Sequence, residues 1–408
     1  MALIVQKYGG TSVGDVERIK NVARRALATQ RAGNDVVVVV SAMAGETNRL
    51  LELTRRVCER PGEREQDVVA ASGEQVTIGL TALAVQGMGG KARSFTGHQV
   101  VIHTDSTFSK ARITSIDRER LEAALRRGEI AIVAGFQGED EGGNITTLGR
   151  GGSDTTAVAI AAAIHADACE IYTDVDGVYT TDPAIVPAAR KLDRISYEAI
   201  LELASAGAKV LQIRSVEFAM KYRVPLWVKS SFTDGPGTLC CEEDPNMEHV
   251  LVSGIAYDRN EAKLEVRGIP DRPGVAARIF KPLSDAGIVV DLIVQNVGHG
   301  GKANLTFTVP KPDLPKALDI VKRSAAELGA DAVESDGRIA KVSVVGVGMR
   351  NHAGVAATAF EVLAAAGINI EMISTSEIKI SVVIAEKFVE LAIRELHAAF
   401  GLDAPNPR

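Results

Sequence analysis

Two glycine-rich segments in the first part of the sequence carry residue types that bind and transfer phosphate groups. The first is residues 7–12 (KYGGTS), directly after an apolar run that predicts a first strand. Gly9 and Gly10 let backbone N–H groups approach a phosphate without an intervening Cβ, and Lys7 adds a mobile positive charge. The Thr-Ser pair that ends the segment could cap the next helix. A plain strand-turn-helix connection would explain the two glycines alone, but it explains their combination with a lysine less well.

The second segment is residues 147–154 (TLGRGGSD), at the start of an alanine-rich helical pattern. Glycines before a helix N-terminus expose free N–H donors and partial positive charge, which favour a bound anion. Arg150 can hold a carboxylate through two parallel hydrogen bonds. Asp154 lies in the first helical turn, where the helix dipole alone also favours a carboxylate, so a site role and a structural role both stay open.

A third loop, residues 173–183 (TDVDGVYTTDP), follows another apolar run and is dense in Asp, Gly and Thr. This composition is typical of a shaped loop, which could bind ribose, phosphate oxygens or Mg²⁺. The EF-hand pattern with its final Glu is absent, so a calcium loop of that type is excluded.

Two further segments offer polar side chains. Residues 40–48 (VSAMAGETN) follow a buried run and provide the hydroxyls of Ser41 and Thr47. Residues 72–74 (SGE) are predicted to begin the helical stretch 75–85, which places Glu74 at a helix start. Helix capping explains a carboxylate there as well as ligand binding does.

The elements that must position these segments alternate between apolar runs and helical patterns. The runs contain no polar alternation, so both faces of each strand are expected to be buried, as in a parallel sheet covered by helices. We predict strands at residues 3–6, 36–40, 130–134, 169–173 and 225–228, and helices at 15–30, 153–165, 196–204 and 209–221. Ligands of such sheets bind at the carboxyl ends of the strands, where the glycine-rich segments fall.

The last part of the sequence contains an internal repeat. After a linker-like stretch at residues 233–246, residues 274–293 align without gaps to residues 354–373, and half of the positions are identical. The preceding runs, 263–269 and 343–349, also match. Each copy reads strand, loop, helix, strand, which predicts two similar small α+β modules.

The repeat also supplies candidate residues for binding an amino acid. Gly274 and Gly354 lie at matching helix entrances, where exposed N–H groups could meet a carboxylate, and acidic residues nearby could meet an ammonium group. The candidates are Asp271, Gly274, Ala276, Asp291 and Gln295 in the first copy, and Asn369, Ile370, Ser376 and Glu377 in the second. The alternative is that both modules only build an oligomer interface.

Composition limits the function classes. The chain has 408 residues, a net charge of −6 and only 4% aromatic residues, which does not favour nucleic acid or an anionic membrane as a partner. The sequence shows neither a basic leader before an apolar core nor an apolar run of about 18 residues, and its four cysteines lack CxxC spacing. We therefore expect reduced thiols and a cytoplasmic protein. P-loop and protein-kinase signatures are absent, no GxGxxG lies in a βαβ context, and no GxSxG supports a serine hydrolase. The scattered histidines lack zinc spacing, so no residue is assigned to a metal site.

Taken together, the motifs resemble the aspartate kinase family of the amino-acid kinase superfamily. KYGGTS, VSAMAGETN, ASGEQV, TLGRGGSD, TDVDGVYTTDP and GAKVLQ occur in the family's order and span nearly the whole catalytic half, and the repeat looks like a pair of ACT modules. One departure is Tyr8, where the family usually has Phe; the ring is expected to stay in place. The resemblance implies an open αβα sandwich with a mainly parallel sheet and two ferredoxin-like ACT modules. It implies a kinase domain at 1–246, a first ACT domain at 263–337, and a discontinuous second one at 248–262 and 338–408, completed by a strand at 250–256.

The resemblance also implies the chemistry and the residue roles. The γ-phosphoryl group of ATP, with Mg²⁺, would pass to the side-chain carboxylate of L-aspartate. Lys7 and Asp154 would be catalytic, Arg150 would bind the α-carboxylate of aspartate, and Glu74 its amino group. The rest of the implied site comprises Ser41, Thr47, Gly151, Gly152 and Ser153 around the substrate, and Lys7, Tyr8, Gly9, Gly10, Ser41, Thr173, Asp174, Tyr179, Asp182, Lys209 and Val210 around the nucleotide.

The implied regulation is feedback by lysine, threonine or both, through ACT modules that also join the chains into a homo-oligomer. In one branch of the family an internal start, here near Met247, gives a short regulatory subunit and an α₂β₂ assembly. Two alternatives stay open: a sibling kinase acting on glutamate, acetylglutamate, carbamate or UMP, or an inactive amino-acid-binding regulatory protein. A dinucleotide-binding oxidoreductase lacks its fingerprint.

Overall fold

The computed structural model describes residues 1–208, 210–243, 251–298, 300–352 and 354–404. They divide into two compact units. The first comprises residues 1–178, 191–204 and 209–244, and the second comprises residues 179–190, 205–208 and 245–408.

The first unit contains both strands and helices, as the sequence predicts, but several strands follow one another directly, so the alternation is incomplete. Its strands are β1 (Leu3–Tyr8), β2 (Asp35–Val40), β3 (Ala92–Phe95), β4 (Ile102–Thr104), β5 (Ile113–Ile116), β6 (Ile130–Ala134), β7 (Gln137–Glu139), β8 (Ile145–Thr147), β9 (Ala168–Thr173), β10 (Arg194–Ser196), β11 (Leu226–Ser230) and β12 (Thr238–Cys241). Its helices are α1 (Val16–Arg31), α2 (Glu46–Val57), α3 (Glu63–Gly87), α4 (Glu119–Arg126), α5 (Gly152–Ala163), α6 (Tyr197–Ser205) and α7 (Ile213–Tyr222).

The main sheet has eight strands in the order β10-β12-β11-β9-β1-β2-β6-β3, and only the β11–β12 pair is antiparallel. A second sheet has the order β5-β4-β7-β8. Tyr8, the last residue of β1, pairs in register with Val40 on one side and Tyr172 on the other. Because these neighbours are parallel, the carboxyl ends of β1, β2 and β9 lie side by side, and the loops that follow them share one edge of the sheet.

Helix α1 shows how the apolar pattern and the cap set one element. Its inward face buries residues at helical spacing, and the side chain of Asp15 caps its N-terminus by accepting a hydrogen bond from the backbone N–H of Arg18. The prediction that Thr11 and Ser12 cap this helix is wrong, because both lie in a separate 3₁₀ turn, Gly10–Val13, ahead of Asp15.

Helix α3 corrects a second prediction. It begins at Glu63, so Glu74 lies in the middle of the helix and not at its start. By length and composition alone α3 could cross a membrane, although the sequence shows no uninterrupted apolar run of that length. However, half of its most apolar stretch is buried within the structure, and its buried Asp67 and Glu74 bind other parts of the unit. We therefore interpret α3 as a core helix.

The second unit contains two antiparallel sheets of four strands each. Its strands are β13 (Gly254–Asp258), β14 (Glu261–Pro270), β15 (Asp291–Val297), β16 (Lys302–Pro310), β17 (Ala332–Asp336), β18 (Ile339–Val345), β19 (Ile370–Thr375) and β20 (Lys379–Ala385). Its main helices are α8 (Val275–Asp285), α9 (Leu314–Leu328), α10 (Gly354–Ala365) and α11 (Val389–Ala399). The sheet orders are β15-β16-β14-β17 and β13-β18-β20-β19, so β13 joins the sheet of the second repeat copy.

The two copies of the repeat are similar in fold but differ in detail. The first strand of copy two ends at Val345 and is followed by a 3₁₀ turn, Val347–Asn351, so the predicted run to residue 349 is too long. The strand predicted at 250–256 is shifted to Gly254–Asp258, with residue 250 outside the described residues. Leu292 and Val294 of copy one pack on a small core of copy two formed by Ile339, Met372 and Val383, so the copies share apolar contacts.

Candidate active site

The centre of the candidate site is an ion pair between the first and second glycine-rich segments. Lys7 Nζ lies 2.5 Å from Asp154 Oδ1, and the two side chains are only 10% and 12% exposed. Lys7 comes from β1 and Asp154 from the first turn of α5, so the two segments meet in space as the sequence predicts. Among the described residues this is a nearly buried charge pair at the carboxyl edge of the sheet, where the helix N-terminus adds partial positive charge.

Glycines make the close approaches around this pair possible. A Cβ on Gly10 would lie 3.0 Å from the carbonyl oxygen of Ala42, which brings the loop after β1 against the loop after β2. Gly151 is the N-cap of α5 and has φ of +73°, and a Cβ there would lie 1.9 Å from the side chain of Gln212. Gly151 is therefore required both by its left-handed backbone and by space.

Glu74 enters the same region from α3. Its Oε1 accepts a hydrogen bond from the backbone N–H of Ala42 at 3.0 Å, whereas Oε2 is buried without a partner among the described residues. Burial raises the pKa of Glu74 to about 7, although the Ala42 hydrogen bond acts in the opposite direction. A buried carboxyl with one free oxygen and a pKa near neutrality is suited to meet a cationic ligand group.

Arg150 is exposed, and its loop is fixed by residues that the sequence analysis missed. Buried Asp67 of α3 accepts four hydrogen bonds, from the backbone N–H and hydroxyl groups of Thr147 and Ser109. Arg214 of α7 donates to the carbonyl of Leu148 at 2.7 Å. Asp67 and Arg214 thus hold the chain just before Arg150 from two sides.

A second polar network surrounds the end of β9. Lys229 Nζ lies 2.5 Å from Glu170 Oε1, and Glu170 Oε2 accepts hydrogen bonds from Gln6 and from the hydroxyl of Tyr172. The rings of Tyr8 and Tyr172 stack with centroids 4.6 Å apart. Burial raises the pKa of both tyrosines above the usual value, so both hydroxyls stay protonated. Sequence signals for this network existed, because Glu170 and Lys229 are charges inside otherwise apolar strands.

Hydroxyl groups tie the loops of three strands together. The hydroxyl of Ser12 donates to that of Ser231 at 2.9 Å, and the latter donates to the carbonyl of Thr173. Ser41 follows β2 and its backbone N–H donates to the carbonyl of Tyr8. Ser41 and Thr47 are both half-buried, and Ser153 is buried one residue before Asp154. Of this predicted polar lining, Ser41 lies on the loop after β2, whereas Thr47 and Ser153 lie in the first turns of α2 and α5.

The predicted nucleotide residues are divided between the two units. Tyr8, Gly9, Gly10, Thr173, Asp174 and Val210 belong to the first unit, and Tyr179 and Asp182 to the second. Thr173 donates a hydrogen bond from its hydroxyl to Asp174 at 3.1 Å, and Asp182 accepts one from the hydroxyl of Tyr257 at 3.0 Å. Lys209 lies outside the described residues, as does Met247.

The predicted effector residues lie in the second unit. Gly274 is the N-cap of α8 with φ of +90°, and Asp271, Gln295, Asn369, Ser376 and Glu377 are exposed. Ala276 and Ile370 are half-buried. Asp291 forms an ion pair with Lys341 at 2.5 Å, which the sequence analysis did not predict.

The geometry supports one kind of chemistry. Cations, backbone N–H groups and a helix N-terminus surround one nearly buried edge, which is the environment that aligns and neutralises two anions. Among the described residues, no group of three or more His, Cys, Asp or Glu side chains is placed to hold a metal ion.

Comparison with known proteins gives the family. The amino acid kinase family matches residues 2–230, and ACT domains match residues 263–326 and 342–400. An aspartokinase of Pseudomonas aeruginosa is 60% identical over 407 residues, covering 99% of each chain. An aspartokinase of Mycolicibacterium smegmatis is 50% identical, covering 98% of this chain and 97% of the other.

A solved structure agrees with these relatives. The crystal structure of E. coli aspartokinase III in complex with aspartate and ADP has a TM-score of 0.79 and 28% identity, covering 97% of this chain and 99% of that one. These similarities extend over the kinase unit and both repeat copies. The chain belongs to the aspartate kinase family, with an amino-acid kinase fold followed by two ACT domains.

Proposed function

We propose that the chain transfers the γ-phosphoryl group of ATP to the β-carboxylate of L-aspartate, giving 4-phospho-L-aspartate. The observation that carries the proposal is the nearly buried ion pair of Lys7 with Asp154 at 2.5 Å, beside the N-terminus of α5. Lys7 would neutralise the transferring phosphoryl group, and Asp154 would hold the ammonium group of Lys7 in place.

The reaction requires little acid–base catalysis by the protein. A free aspartate side chain has a pKa of about 3.9, so the nucleophile is already ionised at neutral pH. Phosphoryl transfer passes through a loose transition state, whose charge must be neutralised while the reacting groups stay aligned. A lysine, glycine-exposed N–H groups and a helix N-terminus supply these effects, and no catalytic histidine is required.

The substrate would be held at both ends. Arg150 would bind the α-carboxylate through its planar guanidinium group, and Glu74 would bind the amino group with its unpartnered Oε2. Ser41, Thr47, Gly151, Gly152 and Ser153 would line the remaining surface. An ammonium group beside Glu74 would favour the ionised carboxylate, whose pKa of about 7 leaves it partly protonated in the free protein.

The nucleotide would lie along the loops after β1 and β9. The residues that would contact it are those that the family resemblance implies: Lys7, Tyr8, Gly9, Gly10, Ser41, Thr173, Asp174, Tyr179, Asp182, Lys209 and Val210. Asp154 and Asp174 provide hard oxygen donors, the type that fits Mg²⁺ held mainly by phosphate oxygens and water. Mg²⁺ bound to the phosphates would reduce their negative charge.

A hydroxamate assay of the purified chain tests the proposal. In the presence of ATP, Mg²⁺ and hydroxylamine, aspartate is expected to give the hydroxamate of its acyl phosphate, with matching release of ADP. Glutamate, acetylglutamate, carbamate and UMP, the substrates of sibling kinases, are the comparison panel. Turnover of any of these above that of aspartate would overturn the substrate assignment, and no turnover at all would overturn the kinase assignment.

Regulation through the ACT domains forms part of the proposal. A crystal structure of E. coli aspartokinase III in complex with lysine and aspartate is 27% identical to this chain with a TM-score of 0.77, which supports lysine as one effector here. We include threonine, alone or with lysine, and a homo-oligomer joined through ACT domains. The effector residues would be those predicted above, and the domains would have the bounds 1–246, 263–337, and 248–262 with 338–408.

The same assay, repeated with lysine, threonine and both, tests this part. Inhibition by at least one of them is expected, and none at millimolar concentrations would contradict it. Mass spectrometry of protein from the untagged gene would show a short subunit starting near Met247 if an internal start is used. We place the enzyme in the cytoplasm, where ATP and free aspartate are available.

A further inference from the structure

An arginine-lined cleft lies at the free edge of the main sheet, away from the candidate active site. It is a half-open cleft of about 380 Å³ between β3 and α4, lined by Arg93, Ser94, Phe95, Gln99, Arg120, Ala123 and Arg127. This volume is within the range of small-molecule sites, roughly 300–1,000 Å³. Strand β3 is the last strand of the sheet, three positions from β1, or about 14 Å at the usual strand spacing.

The polar groups of this arginine cleft are mostly donors. The side-chain carbonyl of Gln99 already accepts a hydrogen bond from the backbone N–H of Thr96, and its backbone carbonyl accepts one from Arg120 at 2.8 Å. The amide NH₂ of Gln99 and the remaining N–H groups of Arg120 are thus left to bind a ligand, together with the hydroxyl of Ser94. Each of these carbonyl oxygens keeps a second lone pair, but the N–H donors of the three arginines and Gln99 outnumber the acceptors, so the surface favours an anion.

The charge of the cleft also favours an anionic ligand. None of its lining residues is acidic, and the carboxylate that pairs with them, Glu129, is shared by Arg93 at 3.1 Å and Arg127 at 2.9 Å. One negative charge therefore faces two guanidinium groups, while Arg120 adds a third. This local excess of positive charge is found in a chain whose net charge is −6.

The internal contacts also hold the guanidinium groups in place. Glu129 orients Arg93 and Arg127, and the Gln99 carbonyl orients Arg120. Guanidinium groups fixed in this way bind phosphate or carboxylate oxygens in pairs and lose less side-chain entropy on binding. Phe95 and Ala123 give the cleft an apolar part against which the body of a ligand can rest.

We propose that this arginine cleft is a second binding site, specific for a small molecule with two or more phosphate or carboxylate groups. The site is independent of the proposed kinase reaction, since none of its lining residues belongs to the candidate active site. Polyvalency is expected because three guanidinium groups line one cleft, and a single negative charge would leave at least one of them unmatched.

Titration calorimetry of the full-length chain with pyrophosphate and with citrate tests the proposal. We expect saturable binding of at least one of them, with affinity that falls as the salt concentration rises. Binding of both would identify charge as the criterion, whereas binding of only one would identify phosphate or carboxylate as the preferred group. Arg120→Gln is expected to weaken binding tenfold or more, because one charge-assisted contact is lost.

Three further variants separate binding in the arginine cleft from binding elsewhere on the chain. Arg126→Gln is the matched control on the same helix, since Arg126 does not line the cleft and is 68% exposed; its affinity should be unchanged. Lys7→Ala should retain the binding, because Lys7 belongs to the active site. Arg120→Lys keeps the positive charge but not the planar guanidinium group with its paired N–H donors, so it should give an intermediate affinity. The melting temperature of this variant shows whether the fold is intact.

Three results would overturn the proposal. They are an absence of saturable binding by both anions, equal weakening by Arg120→Gln and Arg126→Gln, and loss of binding in Lys7→Ala without loss in Arg120→Gln. The last result would show that the anions bind only at the active site.

Discussion

Two buried lysines, one in each unit, show how surroundings decide what a charge does. Lys7 lies at the end of β1, is bordered by glycines, and pairs with one carboxylate of the described residues, Asp154. Lys341 lies inside β18, is 6% exposed, and meets both Glu261 at 3.5 Å and Asp291 at 2.5 Å. Lys341 thus joins the second repeat copy to two strands of the first.

The difference lies in what remains free around each ammonium group. Burial alone would lower the pKa of Lys341, but the hydrogen bond and charge of Asp291 raise it above the usual value, so the lysine stays charged within its cluster. Its partners are side chains on the first strands of the other copy. By contrast, a Cβ on Gly9 would lie only 3.3 Å from Nζ of Lys7. The missing side chain of Gly9 therefore leaves one side of the Lys7 ammonium group open. This contrast supports the catalytic role proposed for Lys7 and indicates a stabilising role for Lys341.

The largest expected effect follows from the assignment of Lys7. Lys7→Ala should lower kcat for aspartate phosphorylation by a factor of about 10²–10³, the loss typical when one preorganised electrostatic contact to a transition state is removed. The protein should still fold, but with a lower melting temperature, because the substitution leaves the nearly buried carboxylate of Asp154 without its cation. The matched control is Lys20→Ala on α1, an exposed lysine paired with Glu17, which should keep full activity. Near-normal turnover of Lys7→Ala would remove Lys7 from the mechanism.

The second prediction is that a substitution at Lys341 lowers stability and leaves catalysis nearly unchanged. Lys341→Ala leaves the carboxylates of Glu261 and Asp291 without their cation, and removing one partner of a buried pair costs about 3–5 kcal/mol. Because Asp291 is half exposed, we expect about 3 kcal/mol, measured by urea unfolding. The folded protein of Lys341→Ala should keep nearly the wild-type kcat when no effector is present.

The control for Lys341 is an exposed pair in the same unit. Lys311 contacts Glu386 at 2.9 Å with both side chains about one-third exposed, and Lys311→Ala should cost no more than about 1 kcal/mol. Equal destabilisation by the two variants would show that the cluster around Lys341 has no special role in joining the repeat copies.

The third prediction concerns Asp67, which is buried like the two lysines but acts through its neighbours. Asp67→Asn keeps one acceptor oxygen and loses the other, so the chain before Arg150 should loosen. We expect KM for aspartate to rise about ten- to thirtyfold, with a smaller change in kcat. Asp105→Asn is the control, since Asp105 caps an exposed turn through the backbone N–H groups of Thr107 and Arg112. A fall in stability without a rise in KM would make Asp67 purely structural.

The sequence predicts the elements and motifs well but not the contacts made over long chain distances. The runs that became β2, β6 and β9 are recognisable because they are mostly apolar. The meeting of Lys7 with Asp154 follows because α5 leads into β9, a parallel neighbour of β1, which places the N-terminus of α5 at the carboxyl edge of the sheet. Asp67 was missed because its partners, Ser109 and Thr147, lie 42 and 80 residues further along the chain. No local pattern encodes such a distance.

The error at Glu74 has a local physical cause. Ser72 and Gly73 look like the start of a helix, yet α3 passes through both without interruption. Gly73 is needed for packing, since a Cβ there would lie 2.8 Å from that of Ala42. A glycine that permits contact between two elements is indistinguishable by sequence from one that ends a helix.

The smallest expected effect comes from Glu74 and is visible as a pH dependence. If the ionised form of Glu74 binds the amino group of aspartate, kcat/KM for aspartate should fall about tenfold from pH 8 to pH 6, because the pKa of Glu74 is about 7. Neither the carboxylates nor the amino group of aspartate titrates in this interval, so the substrate does not cause the change. Glu74→Gln should lower kcat/KM at pH 8 and abolish this dependence.

Stability should show the opposite trend with pH. The pKa of Glu74 is raised in the folded protein from 4.5 to about 7, so the folded state binds the proton more tightly than the unfolded state does. This stabilisation is complete below pH 4.5 and is lost as pH rises through 7, by up to about 3 kcal/mol. Glu74→Gln cannot ionise, so its stability relative to the wild type, measured by urea unfolding, should be greater at pH 8 than at pH 5. If the stability difference between Glu74→Gln and the wild type is the same at both pH values, Glu74 has an ordinary pKa. Its buried Oε2 would then not be kept free for a cationic ligand, and the contrast with the fully paired Lys341 would fail.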